Sequence, residues 1–203
     1  VDDEPEAHDL NGTSDYFTRL QQRMKDEVLR IRMPDRHAKK TYDDALVPGL
    51  EIDHADLKKG IRVRSFRGVW RWVPDFTQLT ADSDTLGEGM DLTRLPAEEH
   101  AGLLFSGYIR IPEPGDWTFH GKAGGKIILK IHRKLVLDGD YKYDGTEIST
   151  TVKLDRGLHP YRLYYKTAGG EPALDLQWEG PHVAKGPIHA DALLVEVDQP
   201  PDF

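Results

Sequence analysis

Three stretches of the sequence carry side chains able to do chemistry. Lys122-Ala123-Gly124-Gly125-Lys126 sets two ammonium groups around a pair of glycines. Glycine amides turned to one side form an anion-binding concavity, and the flanking lysines suit a sulfate or carboxylate there. The plainer alternative is a glycine-rich hairpin loop without a ligand. The second stretch runs from Asp138 to Glu147. Asp140, Asp144 and Glu147 could ligate a cation, and Tyr141 or Tyr143 could stack on a sugar ring. Gly145 falls sixth from Asp140, as in an EF-hand, but the remaining positions do not fit. The alternative is a solvated hairpin loop, useful only as a binding loop on a rigid scaffold. The third stretch holds Trp70 and Trp72, which face one side of an extended chain. They make either a sugar platform or core packing, and packing is favoured because an exposed Trp needs a reason.

Other chemistries lack their residues. The chain has no cysteine, which excludes disulfides, thiolate zinc sites, iron–sulfur clusters and a cysteine nucleophile. No His-Glu-x-x-His occurs. His182 and His189 lie seven apart around Gly186-Pro187, and His8 and His37 are isolated, so each reads as a surface or capping histidine. Glu98-Glu99-His100 has no nucleophile or second carboxylate at a usable spacing, so no catalytic set is expected. With 27 Lys and Arg against 35 Asp and Glu, the formal charge is −8, which argues against a nucleic-acid partner. No apolar run approaches the roughly 20 residues of a membrane helix, so no membrane span is expected. There is no initiator Met and no signal peptide, so Val1 is expected to begin a mature chain or a piece cut from a longer one.

These stretches need a scaffold, and 203 residues suffice for one large domain or a domain with an appendage. Residues 15–33 read as one amphipathic helix. Tyr16, Phe17, Leu20, Met24, Val28 and Ile31 form its apolar stripe, Thr13 or Ser14 caps it, and Pro34 ends it. Residues 34–59 are polar and irregular, a linker with room for a short strand. From residue 60, apolar residues alternate with polar ones. Leu103, Phe105, Ile109 and Ile111 share a face, as do Ile127, Leu129 and Ile131. The same holds for Ile148, Thr150, Val152 and Leu154, for Tyr161, Leu163 and Tyr165, and for Leu174, Leu176 and Trp178. Trp117 and Trp178 are expected in the core. Asp138-Gly139, Asp144-Gly145, Arg156-Gly157 and Gly169-Gly170 mark turns. Many short strands without intervening helices predict a mainly β fold: a two-sheet antiparallel β-sandwich with one N-terminal amphipathic helix.

Several segments resemble the anthrax protective-antigen-type (PA-fourteen) sandwich domain, from about Ile61 to Leu194. They are Gly68-Val69-Trp70-Arg71-Trp72-Val73-Pro74-Asp75-Phe76, Phe105-Ser106-Gly107-Tyr108-Ile109 and Ile111-Pro112-Glu113-Pro114-Gly115-Asp116-Trp117-Thr118-Phe119. Leu154-Asp155-Arg156-Gly157-Leu158-His159-Pro160 and Leu174-Asp175-Leu176-Gln177-Trp178-Glu179-Gly180-Pro181 complete the set. Asp3-Glu4-Pro5-Glu6-Ala7-His8-Asp9-Leu10, followed by Asp15-Tyr16 and the helix, resembles the closing segment of bacterial type I sulfatases. The sulfatase nucleophile motif, Cys or Ser followed by x-Pro-x-Arg, is not in the chain.

The two resemblances imply an organisation: residues 1–33 as the tail and last helix of a sulfatase-like catalytic domain, 34–59 as linker, 60–197 as the sandwich and 198–203 as a tail. They imply an accessory module of a secreted or periplasmic bacterial sulfatase, itself not an enzyme. It would bind or position a glycan, possibly sulfated, beside the parent catalytic domain. The alternative is a structural domain that docks on that catalytic domain or mediates oligomerisation without binding glycan. The family's ligand site is usually built on an Asp-Asp pair that holds calcium. Here Ala123 and Gly124 stand at the matching positions, so calcium is not expected and no cofactor is implied. The expected ligand residues are Lys122, Gly124, Gly125, Lys126, Asp140, Tyr141, Tyr143, Asp144, Trp70 and Trp72.

Overall fold

The computed structural model describes residues 18–20, 22–24, 45–52, 57–97 and 100–196. The chain divides into two compact units, Val1–Thr41 and Tyr42–Phe203. In the first, residues 18–20 and 22–24 are helical, with Leu20 half-buried and Met24 exposed. The rest of the expected helix, and nearly all of the sulfatase-like segment, lies outside the described residues.

The second unit is a sandwich of two antiparallel sheets. Its strands are β1 (Leu57–Lys59), β2 (Ile61–Arg67), β3 (Ser83–Gly87), β4 (Ala101–Ile111), β5 (Gly115–Ala123) and β6 (Lys126–Ile131). They continue as β7 (Lys134–Gly139), β8 (Ile148–Leu154), β9 (Gly157–Lys166), β10 (Leu174–Gly180), β11 (Val183–Pro187) and β12 (Leu193–Glu196). The larger sheet, eight strands among the described residues, runs β1-β12-β4-β9-β6-β7. β2 joins it by pairing residues 62–67 with the first half of β4, and β3 lies outside β2. The smaller sheet is β11-β10-β5-β8. The β5–β6 and β8–β9 connections therefore cross between sheets.

The residues expected on one face by alternation are those that meet in the middle. Leu103, Phe105, Ile109 and Ile111 of β4 pack with Ile127, Leu129 and Ile131 of β6, with Tyr161, Leu163 and Tyr165 of β9, and with Val152 and Leu154 of β8. Trp117 and Trp178 face one another across β5 and β10, with ring centroids 4.7 Å apart. Burying aliphatic and aromatic surface on this scale supplies the dominant favourable term of folding. β4 is buried on both faces along most of its length. Its second face is covered by a smaller core of Phe66, Phe76, Leu104 and Tyr164, joined by Trp70 and Val73. The segment between β2 and β3 thus folds back over the outside of the larger sheet.

Part of the expected linker is built into the sandwich. The Val47 amide donates to the Lys153 carbonyl at 2.8 Å, the Asp155 amide donates to the Val47 carbonyl at 2.9 Å, and Leu50 bridges Leu158. β1 also falls within the range expected for the linker and pairs with β12.

Candidate functional site

One end of the sandwich gathers the segments that follow β2, β5, β7 and β9. The register fixes this: Arg67 lies opposite Ala101, Gly102 opposite Lys166, Lys166 opposite Lys126, and Ile127 opposite Gly139. All these pairs sit at the same level of the larger sheet.

The two tryptophans part company here. Residues 68–75 are not a strand, so spacing by one residue does not put Trp70 and Trp72 on a common face. Trp70 turns inward and meets Phe76 edge-on at 5.4 Å, and Phe76 stacks on Phe66 at 4.5 Å. A 3-10 turn at Phe76–Gln78 holds Phe76 in place, capped by Asp75, whose Oδ1 accepts from the Thr77 amide at 3.1 Å. Trp72 turns outward, 44% exposed, and meets Tyr141 with ring centroids 5.5 Å apart. Tyr141 is 66% exposed. Two large aromatic rings thus stand side by side at the surface.

A buried latch holds the two loops together. The Val73 amide donates to Asp140 Oδ2 at 3.0 Å, while Asp140 Oδ1 is buried and has no hydrogen-bond partner. Asp140 also lies beside Lys166, whose pKa burial lowers while Asp140 opposes the shift. Tyr143 anchors the other side of the loop: its Oη accepts from the Ala123 amide at 2.9 Å, and its carbonyl accepts from Lys126 Nζ at 2.8 Å. Sequence reasoning missed Val73 and Lys166. The Val73–Asp140 contact joins residues 67 apart and leaves no local pattern, but the outward position of Lys166 in β9 was readable from alternation.

The glycine-rich loop is shaped by packing. The Gly124 amide donates to the Ala173 carbonyl at 2.9 Å. A Cβ at Gly124 would run into the Glu171 carbonyl, and one at Gly125 into the Lys166 carbonyl. The two lysines also separate. Ala123 and Ile127 both enter the core, so Lys122 stands outside the smaller sheet, opposite Asp175, while Lys126 stands outside the larger one. The hairpin thus crosses between sheets at that point, and its two lysines stand outside different sheets.

The acidic side chains of the 138–147 loop diverge. Asp144 accepts from the amide and hydroxyl of Thr146, which hold its carboxyl below the usual range. Glu147 turns to the smaller sheet, where Lys185 at 2.7 Å lowers its pKa and His120 Nδ1 lies 3.3 Å away. His120 Nε2 meets Glu179 at 3.1 Å. Among the described residues, no group of three or more His, Asp and Glu side chains could hold a metal ion.

By sequence, the chain matches no protein family and no curated protein. By structure, it is similar to the A domain of epithelial adhesin 9 from Candida glabrata, solved in complex with Galb1-4GlcNAc. That match has a TM-score of 0.60 and 12% identity, over 75% of this chain and 96% of the adhesin domain. It is also similar to the PA14 sugar-binding domain of an RTX adhesin, with a TM-score of 0.52 and 12% identity over 68% of this chain and 98% of that one. An anti-sigma factor domain-containing protein from Clostridium clariflavum matches with a TM-score of 0.53 and 19% identity over 66% of this chain. The chain spans a little under half of that protein's length, 46%. These likenesses show a shared PA14-like two-sheet sandwich fold. None of them bears on the sulfatase-like segment. Among the described residues, no helix is long and apolar enough to cross a membrane.

Proposed function

We propose that the chain is a non-catalytic carbohydrate-binding module that holds a glycan on the Trp72–Tyr141 pair. The observation that carries this is an exposed pair of large rings fixed from beneath by buried contacts. An aromatic pair left in water costs free energy unless a partner covers it, and the C–H faces of a sugar are such a partner. The Val73–Asp140 hydrogen bond and the Tyr143 contacts pre-order both loops, which lowers the cost of binding. Asp140 Oδ1, buried and without a partner, is an acceptor within the same loop pair. Two structural neighbours, an adhesin domain in complex with Galb1-4GlcNAc and a sugar-binding PA14 domain, support the same reading.

The finer placement, within the C-terminal part of a secreted sulfatase, rests on the sequence resemblance of residues 1–33. It predicts a Cys or Ser followed by x-Pro-x-Arg in the reading frame upstream of Val1. A glycan array probed with the chain tests the module itself. Retention of at least one oligosaccharide, lost in Trp72→Ala, is the expected result. An array without a hit, sulfated sugars included, would leave a docking or structural role as the better account.

A further inference from the structure

We propose that the sugar taken by this site is an acidic one, carrying a sulfate or carboxylate that Arg71 and Lys142 receive. This rests on the glycan-binding reading above and names the ligand class.

Each exposed ring carries a cation. The Arg71 guanidinium lies 5.1 Å from the centre of the Trp72 ring, and Lys142 Nζ lies 5.2 Å from the centre of the Tyr141 ring. Both side chains are exposed, and among the described residues neither forms an ion pair with a carboxylate. A chain with eight more acidic than basic side chains has no shortage of carboxylates, so two cations without an ion pair, one on each ring of a touching aromatic pair, stand against its average. Two further cations belong to the same end of the sheet: Lys126 over the Tyr143 ring, 5.8 Å from its centre, and Lys166 opposite Lys126. The carboxylates of the 138–147 loop are Asp138, which accepts from the Asp140 amide, Asp140, which holds the Val73 amide, Asp144, which holds Thr146, and Glu147, which pairs with Lys185. None of them forms an ion pair with Arg71 or Lys142.

The backbone supplies a second, independent observation. Lys142 has a φ of 55°, in the left-handed region. That region suits Gly, Asn or Asp, and a long unbranched side chain placed there carries a local conformational cost. What the loop gains is an ammonium set over Tyr141. A neutral sugar has no use for a cation on the ring face it would cover. An acidic sugar uses both parts: its C–H surface meets the rings while its anionic group draws Arg71 and Lys142 off them. Exposed cation–π contacts are weak enough to be exchanged in this way. Arg adds a planar fork that matches sulfate or carboxylate in two hydrogen bonds.

The test is calorimetric titration of the full chain with four probes. These are a heparin-derived oligosaccharide, an oligogalacturonate, and the neutral oligosaccharides of cellulose and chitin at matched length. At least one acidic probe is expected to bind about tenfold or more tightly than the neutral ones, with affinity falling as salt rises. The heparin and galacturonate arms separate sulfate from carboxylate as the favoured group. In the Arg71→Gln, Lys142→Gln double variant that preference should vanish. Arg110→Gln, an exposed cation at the opposite end of β4, should leave it intact. Neutral probes binding as tightly as acidic ones, or an equal loss in Arg110→Gln, would overturn the acidic-sugar inference and leave the glycan reading standing. Binding of none of the four probes would count against both.

Discussion

Trp72 and Tyr141 are exposed and meet each other and the cations Arg71 and Lys142 rather than the core, so their removal separates binding from folding. Trp72→Ala and Tyr141→Ala should each weaken glycan binding by about tenfold or more, in the range of an aromatic anchor. Thermal unfolding should hardly change, as is usual for exposed side chains. Trp70→Ala should do the opposite to stability, because its ring packs on Phe76 in the outer core. A second residue-scale expectation concerns acid. His132 Nε2 and His159 Nδ1 lie 2.9 Å apart, and His159 Nε2 lies 2.9 Å from the Asp155 carbonyl. A carbonyl can only accept, so His159 carries its proton on Nε2 and His132 must donate to the bare Nδ1. Burial, with His159 beside it, lowers the His132 pKa from 6.5 to about 4, and burial lowers His159 as well. The unfolded imidazoles bind protons near 6.5 while folded His132 does so only near 4. Stability is therefore full above that upper value and falls as the pH drops through the interval. Denaturant unfolding at a series of pH values should show this decline. His132→Asn, which tolerates the positive φ at this position, should flatten it.

At the scale of elements, the site depends on two loops being tied to one another and to the sheet. Asp140→Ala removes the acceptor for the Val73 amide and should cost about 1–3 kcal/mol, the usual range for leaving a donor without its partner. Hydrogen exchange should accelerate at Val73 and its neighbours while amides of β4 and β9 keep their protection. Trp117→Ala should cost about 3–5 kcal/mol, because the indole is fully buried against Trp178. The strands that carry this core were legible from alternation, since a half-buried strand writes its inward face into every second residue. The fold-back of residues 68–82 was not. Trp70, Arg71 and Trp72 imitate strand alternation, and only the distant partners Phe66, Leu104 and Tyr164 decide which ring turns inward. The glycine-rich loop was legible as a hairpin, but spacing cannot show that the chain changes sheet between Lys122 and Lys126. Tyr141 stood out in its loop as an aromatic side chain, but its contact with Trp72, 69 positions earlier, needed the fold.

For the whole molecule, the charge distribution and the site point in different directions. The chain is acidic, with a formal charge of −8, yet the end that presents Trp72 and Tyr141 gathers Arg71, Lys142, Lys126 and Lys166. Such an arrangement repels polyanions in general and admits them at one place, which sets orientation more than affinity. The two-sheet sandwich is the scaffold on which the loops at one end present the candidate site. The most direct measurement is an amide chemical-shift map of the full chain titrated with a glycan retained on the array. Shifts concentrated at residues 70–73 and 140–143, with smaller ones at Lys126 and Lys166, are the predicted result. Shifts centred instead on His120 and Glu179, outside the smaller sheet, would contradict the account.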